Sequence, residues 1–409
     1  MNNYMNRSKS SALTPVETAL GLIQESLNPI TETETIALLQ ANGRILAQAV
    51  IASIDVPPHD NSAMDGYAIR AADAQNPPIK LRLTQRIVAG RVGAPLSSGE
   101  AARIFTGAPL PPGADSVIMQ ENCVLEGAEV TLLQAVPRGN DVRLAGEDIK
   151  AGTCLFKQGH RLRPQDVGTL SSVGINQMVV RRRLKVALLA TGNELIQPGI
   201  ALQPGQIYNS NFFSLAALLT ALGCEVLQFD TVPDSLASTQ KALLQAASVA
   251  DCIITTGGVS VGDEDHVKAA VETLGILEFW KLAIKPGKPL ACGKVQGKQF
   301  FGLPGNPVSS FVTFCMIVRP CLLAMLGCSN IQPARYRIAA NFSWPRSGER
   351  QEYLRAVVGH DADGRQYLLP GRPRSRSPRG GPPACADRRY RGRSRAPWSS
   401  RDRARAGRG

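Results

Sequence analysis

The spacing of apolar residues changes character along the chain, and each change predicts a different kind of structure. Near the start, Thr14-Pro15-Val16-Glu17 places a hydroxyl cap ahead of a proline at the first helical position, and a helical apolar period runs on through Leu27. The first fifty residues therefore read as helices. From Ile51 to about Asp141 the apolar residues fall into short runs broken by Gly and Pro, such as Ile87-Val88-Ala89-Gly90 and Ser116-Val117-Ile118-Met119, the texture of a small β-rich domain.

From Lys185 strands and helices alternate. Val186-Ala187-Leu188-Leu189-Ala190 is a continuous apolar strand ending at Thr191-Gly192; Asn209-Ser210-Asn211 offers caps for a helix from Phe212 to Leu222, Gly223 stops it, and Val226-Leu227-Gln228-Phe229 is the next strand. A helix from Leu236 to Ala247, the strand Cys252-Ile253-Ile254-Thr255, a Gly-rich turn and a helix from Val267 to Leu274 follow. This order predicts a parallel, doubly wound α/β domain, in which ligands bind beyond the carboxyl ends of the strands. Strand-like texture returns after Gly327, at Arg335 to Phe342 and Tyr353 to Val358. Residues 371–409 contain no Leu, Ile, Val, Met or Phe, so they have nothing to bury against their ordering entropy and are predicted to be disordered.

With 409 residues, 44% of them hydrophobic, the chain can build about two to four domains and is not disordered throughout. The apolar run from Leu303 to Val318 holds Gly305, Pro304 and Pro307 and falls short of the ~20 residues of a membrane-spanning helix. Arg7 and Lys9 are followed by no apolar segment with a cleavage site, so the expected address is cytoplasmic, with no membrane partner. The net charge of +13 is concentrated at one end: the last 39 residues hold 13 Arg and two acids, Asp387 and Asp402, which leaves the rest near neutrality. A near-neutral body with a basic tail is not a groove that tracks phosphates, and no specific nucleic-acid partner is expected. Nine cysteines without close pairs in metal-ligand spacing read as buried thiols of a reducing compartment, and a zinc site is not expected.

Candidate chemistry gathers at the turns. Thr256-Gly257-Gly258-Val259-Ser260-Val261-Gly262-Asp263-Glu264-Asp265 leads from a strand into a helix, where glycines and helix-start amides suit a phosphate; a tight turn capped by Asp explains the same residues. Glu194 and Asp234 follow the preceding strands, so with Asp265 three acids share one rim. Acids beside a phosphate call for a divalent cation, and oxygen ligands suit Mg²⁺; singly, each reads as a cap or a solvated charge. Trp280-Lys281-Leu282-Ala283-Ile284-Lys285-Pro286-Gly287-Lys288-Pro289 reads as a stiff loop whose three lysines converge on an oxyanion, or as a solvated basic loop. Gly302-Leu303-Pro304-Gly305-Asn306-Pro307-Val308-Ser309 opens a long helix to Leu326 as a third anion-friendly start, with Phe311, Phe314 and Val318 on its core face. In the β-rich part, Asp60-Asn61-Ser62-Ala63-Met64-Asp65-Gly66-Tyr67-Ala68 reads as a buried turn network or as a loop presenting Asp60; Thr106-Gly107-Ala108 and Gly146-Glu147-Asp148 are similar polar islands.

Taken in order, these segments, together with Thr191-Gly192-Asn193-Glu194-Leu195 and Lys285-Pro286-Gly287-Lys288-Pro289, resemble the molybdopterin molybdenumtransferase family, the MoeA proteins and the E domain of gephyrin, from about residue 12 to 370. The resemblance implies a multidomain α/β and β fold: a linking domain of helices and extended chain (1–50 and 143–183), a β-rich domain (51–142), an α/β molybdopterin-binding domain of the MogA/MoaB kind (184–329), an incomplete C-terminal β-barrel (330–370) and the tail (371–409). It implies a homodimer that takes adenylylated molybdopterin and molybdate, inserts the metal at the dithiolene and releases AMP with Mg²⁺, downstream of a molybdopterin adenylyltransferase as partner. By motif it assigns catalysis to Asp60, Thr106, Asp148, Glu194, Asp265, Lys281 and Lys285, substrate binding to Gly257, Gly258, Ser260, Lys288 and Ser309, and Mg²⁺ to Glu194, Asp234 and Asp265. The active site is expected between the α/β domain of one chain and the β-rich domain of the other. The likeness stops around Pro370, where family members carry a Ser-rich loop and closing strands; the Arg/Gly/Pro/Ser composition beyond it looks like a different reading frame. The competing readings are a molybdopterin adenylyltransferase, which lacks the β-rich domain, a noncatalytic dimeric scaffold, and nonspecific RNA binding through the tail.

Overall fold

Residues 13–258, 266–287, 289–343 and 348–370 are described by the structure, a computed structural model. The expectation of disorder at 371–409 lies outside them, as do Ser260, Asp265 and Lys288.

The apolar run after Lys185 forms β1 (Lys185–Ala190), buried from Val186 onward. It is buried because both faces of its sheet are covered. Successive side chains of a strand point to opposite faces: Val186, Leu188 and Ala190 enter one apolar cluster with Phe212, Leu215, Leu219 and Phe314, while Ala187 and Leu189 enter another with Leu243, Ala246, Val267 and Val271. The chain continues through α1 (Ser210–Leu222), β2 (Glu225–Gln228), α2 (Leu236–Val249), β3 (Cys252–Thr256), α3 (His266–Leu274), β4 (Gly275–Lys281), β5 (Pro289–Val295) and β6 (Lys298–Leu303). The sheet order is β2-β1-β3-β6-β5-β4. Its first four strands are parallel, but β5 and β4 are antiparallel additions. The purely parallel sheet expected from the sequence is thus extended by an edge whose hairpin turn is Gln296-Gly297, both at positive φ (48° and 77°), which suits a two-residue hairpin.

Helix ends obey local chemistry. Asn209 caps α1 by accepting from Phe212 N at 3.2 Å, and Gly223 ends it in the left-handed region at φ 98°. The helix α4 (Pro307–Met325) runs 19 residues with a π-helical turn at Phe314–Val318, just before Pro320, which has no N–H to donate. It passes the limit drawn from the sequence at Val318 and is long and apolar enough, by length and composition alone, to cross a membrane. Its apolarity is used internally: Phe314, Ile317, Val318, Cys321 and Leu322 are at most 1% exposed in the cluster that also holds Val16, Ala19, Leu20 and Ile23. Phe311, expected in that core, is 49% exposed.

The last four of those residues lie on the helix Val16–Glu25. Its N-cap is Pro15, and Thr14 does not cap it: the Thr14 backbone bridges Leu282, with Thr14 N donating to Lys281 O at 2.8 Å and Ala283 N to Thr14 O at 2.8 Å. The other described residues up to 50 form no α-helix: Leu38–Gln40 makes one 3-10 turn, and the strand Thr33–Ala37 pairs antiparallel with Gln177–Arg181. Between them Ile51–Asp141 builds a six-stranded sheet in which Gly66–Ile69 is paired on both sides, by Ser116–Met119 and Glu100–Ile104: Tyr67 and Ile69 enter one apolar cluster and Ala68 the other.

Of the described residues, those up to 337 together with 348–353 form one compact unit, and 338–343 with 354–370 a second. In the second, Ala339–Ala340, Gln366–Pro370 and Ala356–His360 make a three-stranded sheet in that order. The eight described cysteines are all free thiols, but only Cys224, Cys252, Cys292 and Cys321 are buried, and Cys154 is exposed. Burial pushes the Cys224 and Cys321 thiols up to about 12, leaving them protonated and unreactive.

Candidate active site

Two clusters of the expected residues form, each tied together by its own backbone. The first lies at the carboxyl ends of β1, β3 and β6. Thr191 N donates to Thr256 O at 3.3 Å, and Gly257 N to Leu303 O at 3.1 Å, so the three strand ends are stitched side by side. Gly257 and Gly258 take φ of 90° and 63°; a Cβ on Gly257 would lie 2.8 Å from Thr191 O, and one on Gly258 2.6 Å from Val267 Cγ2 and 2.9 Å from Thr191 Oγ1. Only glycine fits either position, and packing already demands it. Asn211, at the start of α1, donates through Nδ2 to Thr256 Oγ1 at 3.0 Å and to Gly305 O at 2.8 Å, which locks the rim.

Glu194 and Asp234 stand exposed on adjacent turns of this rim. Gly192 at φ 135° clears space for the Glu194 carboxylate, whose Oε2 would lie 2.5 Å from a Cβ there, and Asn193 Oδ1 accepts from Asp234 N at 3.2 Å, tying the two turns together. Among the described residues neither acid is in an ion pair. Thr191 Oγ1, Thr255 Oγ1 and Asn209 Nδ2 are buried without a hydrogen-bond partner among the described residues, polar capacity that a water or a bound group would satisfy.

Of the three lysines expected on one loop, the two that are described sit on strands. Lys281 ends β4, exposed and opposite Pro289, whereas Lys285 sits on the separate two-residue strand Ile284–Lys285, which pairs in parallel with Gln351–Glu352. Pro286 and Pro289 mark a loop by composition, which conceals both strands. Gly287, at φ 103°, folds over the start of α4, where its Cβ position would lie 3.4 Å from Ser309 Cβ. Ser309 is 6% exposed, and its N and Oγ donate to Asn306 Oδ1 at 3.1 and 3.2 Å. Asn306 also takes Val308 N at 3.1 Å, so the amides expected to face an anion at this helix start are satisfied by the cap. Through Ser309, Asn306 and Gly305 the Lys285 strand is nonetheless seated against the Gly257 turn.

The second cluster lies in the β-rich part and joins all three of its motifs. Asp60 Oδ1 accepts from Ala145 N at 2.8 Å, Gly146 N and Asp148 N donate to Pro57 O and Val56 O at 2.9 Å each, and Gly107 N donates to Ser62 O at 2.8 Å. Asp60, Thr106 and Asp148 are all exposed, and Asp148 is ion-paired with Arg143. Asn61 and Ser62 are buried, as the turn-network reading expects, whereas Asp60 is exposed. Gly66 is required because a Cβ would meet Ile118 O at 1.9 Å. Sequence reasoning missed Asp65: its Oδ1 accepts from Thr106 N at 2.8 Å and Thr106 Oγ1 at 2.7 Å, and these bonds hold its carboxyl below the usual range. It also missed Asn193 and Asn211, whose partners only the fold reveals, and Asn306, whose cap partners Val308 and Ser309 lie within its own motif.

Comparison with known proteins finds two family regions along the chain. Residues 14–174 match the MoeA N-terminal region (domain I and II), and residues 187–324 match the probable molybdopterin binding domain. The molybdopterin molybdenumtransferase of Haemophilus influenzae is 45% identical over 304 residues, 73% of this chain and 74% of that protein. Molybdopterin molybdenumtransferase 2 of Mycobacterium tuberculosis is 38% identical over 342 residues, 80% and 84%. The crystal structure of the molybdopterin biosynthesis MoeA protein from Pyrococcus horikoshii is 31% identical and superposes with a TM-score of 0.74, covering 88% of this chain and 91% of that one. The chain therefore belongs to the molybdopterin molybdenumtransferase family, the MoeA proteins.

Proposed function

We propose that this chain inserts molybdate into adenylylated molybdopterin and releases AMP, acting as a cytoplasmic homodimer. The observation that carries the reading is the sheet's carboxyl rim, where the Gly257-Gly258 turn, the carboxylates of Glu194 and Asp234 and the Lys285 strand are held together by Asn193, Asn211 and Asn306. A nucleotide-activated pterin presents phosphates, for which ammonium groups and close backbone are suitable partners. Lys285 and Lys281 would stabilise charge developing on the phosphate as AMP departs.

The acids fit a magnesium ion by their chemistry. Two exposed carboxylates that make no ion pair among the described residues, completed by substrate phosphate oxygens and water, are the donor set that Mg²⁺ prefers, although no group of three candidate ligands lies together among the described residues and Asp265 is outside them. When bound, the ion would neutralise phosphate charge. Asp60, Thr106 and Asp148 belong to the other cluster, and their part in the reaction is supplied by the partner chain.

That division of labour is directly testable. Asp60→Asn and Lys285→Ala should each lower molybdate-dependent AMP release by on the order of 100-fold. Mixing the two variants under conditions that exchange subunits should restore part of the activity, since some mixed dimers carry one intact pair of half-sites. Full activity of either single variant refutes the site, and absence of recovery on mixing refutes the shared one.

A further inference from the structure

Lys285 carries a contact that the proposed reaction does not use. Its Nζ lies 2.7 Å from Oε1 of Glu352. Glu352 belongs to a short strap that is sewn to the lysine's own strand: Gln351 N donates to Ala283 O and Tyr353 N to Lys285 O, both at 2.8 Å. The strap is anchored by Tyr353, which packs against the apolar cluster containing α4. The two partners differ in exposure, 16% for the Glu352 side chain and 51% for that of Lys285. The carboxylate therefore backs the lysine from inside while the ammonium faces outward. An ammonium has three donors, so one bond to Glu352 fixes it and leaves the others for an anion arriving from solvent.

We propose that Glu352 is a positioning residue for Lys285, which holds the ammonium at the rim and competes with phosphate for it. This rests on the reading of Lys285 as a phosphate-binding group. Glu352 fixes where the charge sits, and its own negative charge weakens the hold on a ground-state or product anion. AMP is then bound loosely enough to leave.

The test uses the full chain and two readouts. In the ligand-free protein, acetylation of Lys285 by acetic anhydride, followed by peptide mass spectrometry, should run faster in Glu352→Gln than in the unmodified protein, and Glu352→Asp should restore the slow rate. In calorimetric titration with AMP, Glu352→Gln should bind roughly two- to fivefold tighter, and the same substitution in a Lys285→Met background should change nothing. Unchanged acetylation shows that the carboxylate does not hold the lysine and overturns the proposal. Faster acetylation with unchanged or weaker AMP binding overturns the competition. If acetylation responds but neither form binds AMP, the phosphate reading of the rim has failed and the competition falls with it, whereas the ion pair stands. Matching circular dichroism spectra and melting temperatures exclude misfolding as the cause of any change.

Discussion

Asp166 shows how much one side chain decides. It is 3% exposed and receives hydrogen bonds from the Arg163 guanidinium, at 3.0 and 2.9 Å, and from Arg163 N at 2.9 Å, while His160 Nε2 lies 2.8 Å away. The Arg163 guanidinium, aided by His160 and the amide, outweighs burial and holds this carboxyl well below the usual range. A carboxyl whose pKa is depressed by folding contributes stability that is complete above its unfolded value, about 3.9, and fades as pH falls through that value towards the folded one. Asp166→Asn should therefore cost about 1–3 kcal/mol at pH 7, and the gap between the two proteins should narrow below about pH 4. Urea unfolding at several pH values reads this directly, and a gap of constant size down to pH 3 would contradict it. None of this was visible beforehand, because Arg163-Pro164-Gln165-Asp166 looks like any charged helix start until His160 is folded back on it.

Elements were legible where their ends carry their own chemistry. Asn209 and Gly223 delimit α1, and Ser235 caps α2 by accepting from Ser238 N at 3.2 Å, so these helices fall within a few residues of their expected bounds. The strands β4 and β5 were not legible. Gly275 leads straight from α3 into β4 without a turn, and the prolines at 286 and 289 suggest a loop, yet Gly275–Lys281 and Pro289–Val295 pair along their whole length because the open edge of β6 supplies partners. Propensity gives way to available hydrogen bonds. At the start of α4 the cap carries a prediction: Asn306→Ala removes the acceptor for Val308 N, Ser309 N and Ser309 Oγ, and should cost about 1 kcal/mol. Because Gly287 rests on Ser309, the loss should also loosen the Lys285 strand, seen as faster amide hydrogen exchange at Ile284, Lys285 and Gly287. Exchange there as slow as in the unmodified protein would show that the cap does not support the loop.

At the scale of the whole chain, charge and fold are separate matters. The basic excess sits in the 13 arginines beyond Pro370, and the folded part is near neutral. Binding to a random DNA duplex should therefore be detectable at low salt for the full chain, fall steeply as salt rises, and vanish for a chain ending at Pro370. Undiminished binding by the shortened chain would place the basic surface on the folded domains instead. Reading the DNA that encodes the region beyond Pro370 in its other frames would show whether the closing strands of the barrel exist there.

The sequence by itself determined the kinds of element, the caps, the α/β character of residues 185–329 and the seven motifs on which the family rests, because apolar period and turn chemistry are local properties that survive without a fold. Tertiary structure alone decided which motifs meet. It gathered Asp60, Thr106 and Asp148 into one cluster, placed Glu194 and Asp234 with Gly257 and the Lys285 strand in another, and set Glu352 behind Lys285 across 67 residues of chain. Such pairings depend on how strands order in a sheet and which backbone groups remain for side chains to satisfy, and no window of sequence contains both partners.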